Sequence, residues 1–178
     1  MKERKYRDRY EIVTRTDPRT GREKRTARYT GEYYRFPEGS ARSRAILPGA
    51  ALGLYWLLAL GYLRFGRATS HCLYALPPFL LGLVPGFYGL MGLWTLLRAP
   101  ERMTVVDREN GPGRLTRSCL GCGAFSALGA AGGMVFLTTA GQWAAGWLDA
   151  LLSSAAAACA WVGFAASRRA YRAMEKLG

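Results

Sequence analysis

Four long stretches of this chain carry no charged side chain: Ala45–Leu63, Ala68–Leu97, Ser118–Leu148 and Ala150–Ser167, with the lone His71 taken as neutral. A helix that crosses a bilayer needs about 20 mainly apolar residues, so each stretch has room for one span. In hydrocarbon every backbone polar group must be satisfied internally, which favours helices for apolar runs this long. A chain of 178 residues could also be one soluble domain, but its charge is too unevenly spread for that: residues 1–44 alone hold 14 Lys/Arg and 7 Asp/Glu. The expected fold is therefore an α-helical integral membrane protein, a four-span bundle with spans at 45–63, 77–97, 119–140 and 147–166. Residues 1–44 form a basic segment ahead of the bundle, and 98–118 form an insertion within it. The first apolar run follows a long charged segment, and no short apolar core with a small-residue cleavage site precedes it, so no cleaved signal peptide is expected.

Orientation follows from where the cations fall. Of the 25 Lys/Arg, 14 precede the first span, 2 (Arg64, Arg67) lie in the first loop, 5 in the middle loop, none in the third and 4 after the last span. Basic residues are retained in the cytoplasm during insertion, so both termini and the middle loop are expected inside. Tyr62, Tyr74, Trp143 and Trp147 would then mark the outer interface, and Trp94 and Tyr171 the inner one. The abundance of Arg over Lys points to a GC-rich genome, hence to a bacterial plasma membrane.

Helix signals within the spans are clear. Pro77 and Pro78 suit a first turn, Pro85 should kink the second span, and Gly82, Gly86, Gly89 and Gly92 should let neighbours approach closely. The fourth span is rich in Ala and Ser and only weakly hydrophobic, so it is expected to enter with the third as a helical hairpin closed by Gly129 and Gly133. Gly49 and Gly53 repeat that spacing, and packing within one bundle is the simpler reading of both pairs.

Two polar segments carry the period-2 pattern of β-hairpins. In residues 6–34, a loop at Pro18–Gly21 pairs Ile12 with Ala27, Tyr10 with Tyr29 and Tyr6 with Tyr33 on one face. On the other face it pairs Glu11 with Arg28 and Arg7 with Glu32. Both faces match only in that register. In residues 103–118, strands Met103–Arg108 and Gly113–Ser118 would set Val106 against Leu115 and Asp107 against Arg114 around a loop from Glu109 to Pro112. Isolated hairpins are marginal in water, so the two are expected to join into one cytoplasmic sheet of about four strands. Hairpin, two spans, hairpin, two spans would also fit an internal duplication.

No constellation of catalytic type is present. Cys119 and Cys122 form a CxxC, but the second pair that would complete a metal site is missing, and the topology puts His71 and Cys72 at the other end. Asp149 is the lone acidic residue inside the spans, and near the start of a helix its expected role is to complement the N-terminal dipole. The single histidine, His71, has no partner in its vicinity that would make it a base or a ligand, so no Ser/His/Asp arrangement is expected, and there is no phosphate-binding Gly-rich loop. No catalytic, cofactor-binding or metal-binding residue is assigned, and no cofactor is expected. The net charge of +13 is accounted for by topology rather than by nucleic acid: basic residues beside a bilayer are attracted to anionic head groups by about 1 kcal/mol each. The expected company is thus the lipid bilayer, anionic head groups on the cytoplasmic side, and a membrane-protein partner or further copies of the chain. The functional expectation is a non-enzymatic membrane protein with a cytoplasmic hairpin surface that binds a protein partner or anionic lipid. Its rival is a small transporter or channel subunit acting as an oligomer.

Overall fold

The computed structural model describes residues 9–16, 23–37, 41–66, 68–69 and 71–177. Its frame is four long helices, α1 (Ala41–Phe65), α2 (Leu76–Leu97), α4 (Arg114–Thr139) and α5 (Trp143–Arg172), each long and apolar enough to cross a membrane. At 1.5 Å rise per residue, even the 22 residues of α2 reach about 33 Å, against a hydrocarbon core of about 30 Å. The helices run up and down, with broad contacts of α2 on α4, α4 on α5 and α5 on α1, and a narrower one of α1 on α2.

Burial in the bundle is inverted relative to a water-soluble protein. The interior holds small and polar residues, including Ser118, Ser126, Ser153, Ser167 and Asp149, around a few large anchors such as Tyr55, Phe79 and Leu52. The outside presents large apolar side chains: Leu57 is 69% exposed, with Ile46, Leu54, Val84, Phe87, Leu128, Val135 and Trp147 also exposed. Apolar solvent bathing that surface removes the usual penalty, whereas water would leave it a very large exposed patch.

Glycine sets the closest helix approach. Gly82, Gly86, Gly89 and Gly92 are all buried along α2. At Gly92 an added Cβ would stand 2.9 Å from the Leu115 nitrogen and 3.1 Å from the Gly111 carbonyl oxygen. The close-packing role expected of Gly129 is found, but against a different partner. A Cβ there would meet the Ala75 oxygen at 2.9 Å and the Phe79 nitrogen at 3.0 Å, so this side of α4 packs on the start of α2, and Gly133 faces Thr69. The α4–α5 contact is made instead through Gly123 against Trp161, Gly146 against Leu137 and Gly163 against Cys119. Gly53 has nothing within 4 Å. Pro77 lies in the first turn of α2, as expected, and α2 continues unbroken through Pro85, as α1 does through Pro48.

The first hairpin has the expected register. Strands β1 (Tyr10–Thr16) and β2 (Glu23–Tyr29) pair Tyr10 with Tyr29, Glu11 with Arg28 and Ile12 with Ala27. Tyr6, Arg7 and the Pro18–Gly21 loop lie outside the described residues. Tyr33 and Glu32 do not extend the hairpin, because the chain bends after Tyr29 and β3 (Tyr33–Arg35) starts a second sheet.

The second hairpin does not exist. Of residues 103–118 only Met103–Thr104 form a strand, β4; a short helix α3 (Val105–Arg108) and a π-turn (Glu109–Gly113) then lead without interruption into α4. Local capping explains the change. The Thr104 hydroxyl accepts from the Asp107 N–H (3.2 Å), and the Asp107 carboxylate accepts from the Thr104 N–H (3.1 Å), a capping box that starts a helix where a strand was expected. Pro112 lacks the N–H that a regular helix would use, and the wider π-turn accommodates it. Gly111, Pro112 and Gly113 are poor helix formers, yet all three are buried, Gly111 against Leu96 of α2; tertiary packing outweighs propensity here. Asp107 and Arg114 therefore do not face each other as strand partners, nor do Val106 and Leu115, and the hairpin–span–span repeat loses its second hairpin.

The joint sheet expected from the two hairpins does not form, although the two segments do meet in a different sheet. β3 is central in a three-stranded antiparallel sheet, with β4 on one side and β5 (Glu175–Leu177) on the other: Tyr33 pairs with Thr104 and Leu177, and Tyr34 with Met103 and Lys176. The β1–β2 hairpin stays a separate two-stranded sheet. Beneath the three strands, Met103, Phe36, Leu96, Leu115, Ala170 and Met174 belong to the buried cluster that closes this end of the bundle.

Candidate functional site at the basic end of the bundle

The up-and-down topology brings the start of α1, the end of α2, the start of α4 and the end of α5 to one end, together with the three-stranded sheet. Arg42, Arg44, Arg98, Arg102, Arg114, Arg117, Arg168, Arg169 and Arg172 consequently form a collar around that end. Two lie over aromatic rings: the Arg98 guanidinium is 4.0 Å from the Trp94 ring centre, and that of Arg168 is 5.7 Å from Phe164. Such stacking keeps the charge at the rim while the side chain's stem covers apolar surface.

Within the collar the sheet is fastened by three devices. The Arg108 guanidinium sits between the rings of Tyr34 (4.4 Å) and Tyr171 (4.3 Å), which ties β3 to the end of α5. Lys176 forms an ion pair with Glu32, and the Tyr34 hydroxyl donates to the same carboxylate at 2.9 Å. The hydrogen bonds from Lys176 and Tyr34 hold the Glu32 carboxyl below its ordinary range, while the bond to Glu32 pushes Lys176 and Tyr34 up. The Tyr29 hydroxyl donates to the Glu32 carbonyl (3.0 Å) and accepts from the Val105 N–H (3.4 Å), which joins the hairpin to the start of α3. Beyond Tyr29 the hairpin points away from this junction: Ile12 is 71% exposed, and the Tyr10 and Tyr29 rings meet edge to face at 5.2 Å.

Around the collar the helices leave clefts. One, of about 380 Å³, lies between α1 and α5 and is lined by Ser43, Arg44, Leu47, Val162 and Arg169 among others. Another, of about 300 Å³, lies between α2 and α4 and includes Pro85, Tyr88, Glu109, Arg114 and Arg117. A third, beside Phe36, includes Arg42 and Glu101.

The other singled-out residues lie elsewhere. Asp149 is 2% exposed but does not cap its own helix, because α5 begins at Trp143 and places it well past the first turn. Its carboxylate instead accepts from the Ala68 N–H (3.0 Å), the Thr69 N–H (2.9 Å) and the Thr69 hydroxyl (3.0 Å), and so holds the α1–α2 loop at the end opposite the sheet. Since Thr69 gives its only hydroxyl proton to Asp149, the Tyr62 hydroxyl 2.9 Å away is the donor to Thr69. Tyr62 is thus inside the bundle, while Tyr74, Trp94, Trp143 and Trp147 are exposed near helix ends. Mid-span Trp56 packs on Gly86 and Phe87.

Cys119 and Cys122 are buried free thiols, Cys119 against Gly163 of α5; Cys72 is buried near the far end and Cys159 is half-buried. His71 is exposed. Among the described residues no group of three His, Cys, Asp or Glu is placed to hold a metal ion. Compared with protein-family models, curated proteins and solved structures, the chain finds no match in any of the three. The Asp149 cluster and the β5 strand were not anticipated. Only a pattern linking Asp149 to the polar Thr69, eighty positions earlier, could have signalled the first, and the three residues of the second carry no periodicity.

Proposed function

We propose that the chain is a non-enzymatic multi-pass membrane protein of a bacterial plasma membrane, with both termini and the three-stranded sheet on the cytoplasmic side. Its working surface is the sheet end, where the β1–β2 hairpin takes a protein partner and the arginine collar meets anionic head groups. The observation that carries this reading is the concentration of patterned polar structure at one end: two sheets, the stacked Arg108 and the collar. The opposite end has short loops, and Asp149 holds the α1–α2 one. The inverted burial of the helices supports the bilayer as their solvent. Basic residues on the sheet side support the orientation. The exposed Ile12 and the two-stranded hairpin, which has no further strand among the described residues, support a partner that packs on its tyrosine face or extends its edge.

Photo-cross-linking in intact cells tests the reading, with a photoreactive residue at position 12 or at position 73, whose leucine is 84% exposed near the far end. A discrete protein adduct from position 12, absent from position 73, is expected; equal labelling at the two would sink it. The rival, a transporter or channel subunit, draws on Pro48 and Pro85, each of which removes a backbone donor inside a helix that otherwise runs on unbroken. Tyr55, Phe79 and Leu52 fill the bundle interior, so a solute path would have to run between copies, and flux in proteoliposomes would reveal it.

A further inference from the structure

The backbone of the β1–β2 hairpin decides which groups its outer edge offers. The Thr30 N–H donates to the Arg9 carbonyl at 2.9 Å, and the next residues in register are Tyr10 with Tyr29 and Glu11 with Arg28. An antiparallel ladder alternates bonded and non-bonded pairs, so Arg9, Glu11, Val13 and Arg15 turn their backbone amides to β2. Tyr10, Ile12, Thr14 and Thr16 turn theirs to the other edge, where no strand pairs with β1 among the described residues. Two strands alone are marginal in water, and such an edge is a template for a further strand.

The sequence of β1 is self-complementary in charge. Positions 9, 11, 13, 15 and 17 carry Arg, Glu, Val, Arg and Asp. Laid antiparallel to a copy of itself about Val13, this stretch sets Glu11 opposite Arg15 and Arg9 opposite Asp17, each twice by symmetry. The bonded pairs are then Tyr10 with Thr16 and Ile12 with Thr14, the residues whose amides face the outer edge. Centring on Ile12 or on Thr14 also suits the hydrogen bonding, but the first sets Arg15 opposite Arg9 and the second sets Glu11 opposite Asp17. β2 laid on itself about Thr26 would set Lys24 opposite Arg28. Opposite charges across a strand pair stabilise it and like charges directly opposite destabilise it, so the Val13 register of the β1 edge is favoured. Within the hairpin Arg15 falls opposite Lys24, a like-charge pair that a carboxylate from a second β1 would offset.

We propose that β1 pairs antiparallel with β1 of a second copy of the chain, centred on Val13, to make a four-stranded sheet from two hairpins. This rests on the reading of the hairpin as the surface that takes a protein partner, and it names that partner as the chain itself.

Disulfide trapping of the purified full chain in lipid vesicles tests the pairing, with the wild-type chain and its four cysteines as the control. Opposed residues of a non-bonded pair lie about 4.5 Å apart at Cα, within the span of a disulfide, so Val13→Cys should give a covalent dimer on mild oxidation. Tyr10→Cys should not, because its two copies would stand about 20 Å apart along the strands. Arg15→Glu sets opposite charges against Lys24 inside the hairpin but like charges against Glu11 between copies. It should therefore leave the hairpin paired while weakening the dimer trapped through Val13→Cys about tenfold. Adding Glu11→Arg restores opposite charges between copies and should restore the dimer. No dimer from Val13→Cys, equal trapping at positions 10 and 13, or a yield untouched by Arg15→Glu would each overturn the pairing. Photo-cross-linking from position 12 separates the two readings. An adduct of twice the chain's mass supports both, an adduct with a different protein alone overturns the second copy but keeps the docking surface, and no adduct overturns both.

Discussion

The two ends of the bundle hold their connecting segments by opposite means. At the far end one buried carboxylate, Asp149, takes three hydrogen bonds from Ala68 and Thr69, and Tyr62 extends the chain by one more. At the basic end the load is spread over strand pairing, a guanidinium between two rings, a capping box and an exposed ion pair. The first arrangement concentrates its dependence on one side chain, and the second has no single point of failure. The difference follows from solvent: a polar group in a water-poor interior must be fully satisfied, while exposed contacts compete with water and are individually weak.

The sharpest test of that contrast is Asp149→Ala. It removes one acceptor from three donors in a buried loop, and about 2–4 kcal/mol of stability should be lost. Asp149→Asn keeps one acceptor oxygen and should recover part of it. Thermal unfolding in a fixed detergent reads both, and a loss from Asp149→Ala no larger than that from a basic-end contact would erase the distinction. Next in size are the glycines that carry α2 against α4. Gly92→Ala and Gly129→Ala each force a Cβ onto backbone atoms 2.9 Å away and should cost about 1–3 kcal/mol. Gly53→Ala, with nothing within 4 Å, should be neutral or slightly stabilising.

At the basic end Arg108→Ala loses two ring contacts at once, and about 1–2 kcal/mol is expected. Arg108→Lys should recover only part of this, because an ammonium cannot stack flat between two rings. The smallest effect belongs to Glu32 and Lys176. Glu32 has a lowered carboxyl in the folded chain, so its contribution is present above the ordinary carboxylate range and fades as pH falls through the lowered value. Lys176 has a raised ammonium, so its contribution is present below the ordinary lysine value and fades only as pH rises through the raised one. Between those limits stability should be flat with respect to this pair. Glu32→Gln should remove the acid-side slope at low salt and change nothing at high salt, where an exposed pair is screened.

The parts of the fold that could be read from the sequence were those written as long-range regularity. Four uncharged stretches mark four helices, because desolvating charge is too costly for them to be elsewhere. The β1–β2 register is legible because charge pairing on one face and apolar pairing on the other agree in only one alignment. The 103–118 segment misleads because Asn110, Gly111, Pro112 and Gly113 carry turn chemistry, while the Thr104–Asp107 capping box is a two-residue signal easily outweighed by it. The pairing of Tyr33–Arg35 with Glu175–Leu177 and the reach of Asp149 to Thr69 depend on which helix ends meet in space. No local pattern records that. Of the basic end, the arginines themselves are visible in the sequence, but their sorting into separate clefts is not.

The three-stranded sheet also works as a parity check on the up-and-down course of the bundle. β3 precedes every long helix, β4 follows two of them and β5 follows all four, yet the three strands lie side by side. They can do so only if an even number of passages through the bundle separates each from the next. A chain in which one helix ran the wrong way along the bundle would leave β3 without β5 and Arg108 without Tyr171. The exposed strand edge and the loosened guanidinium would mark that chain as misthreaded.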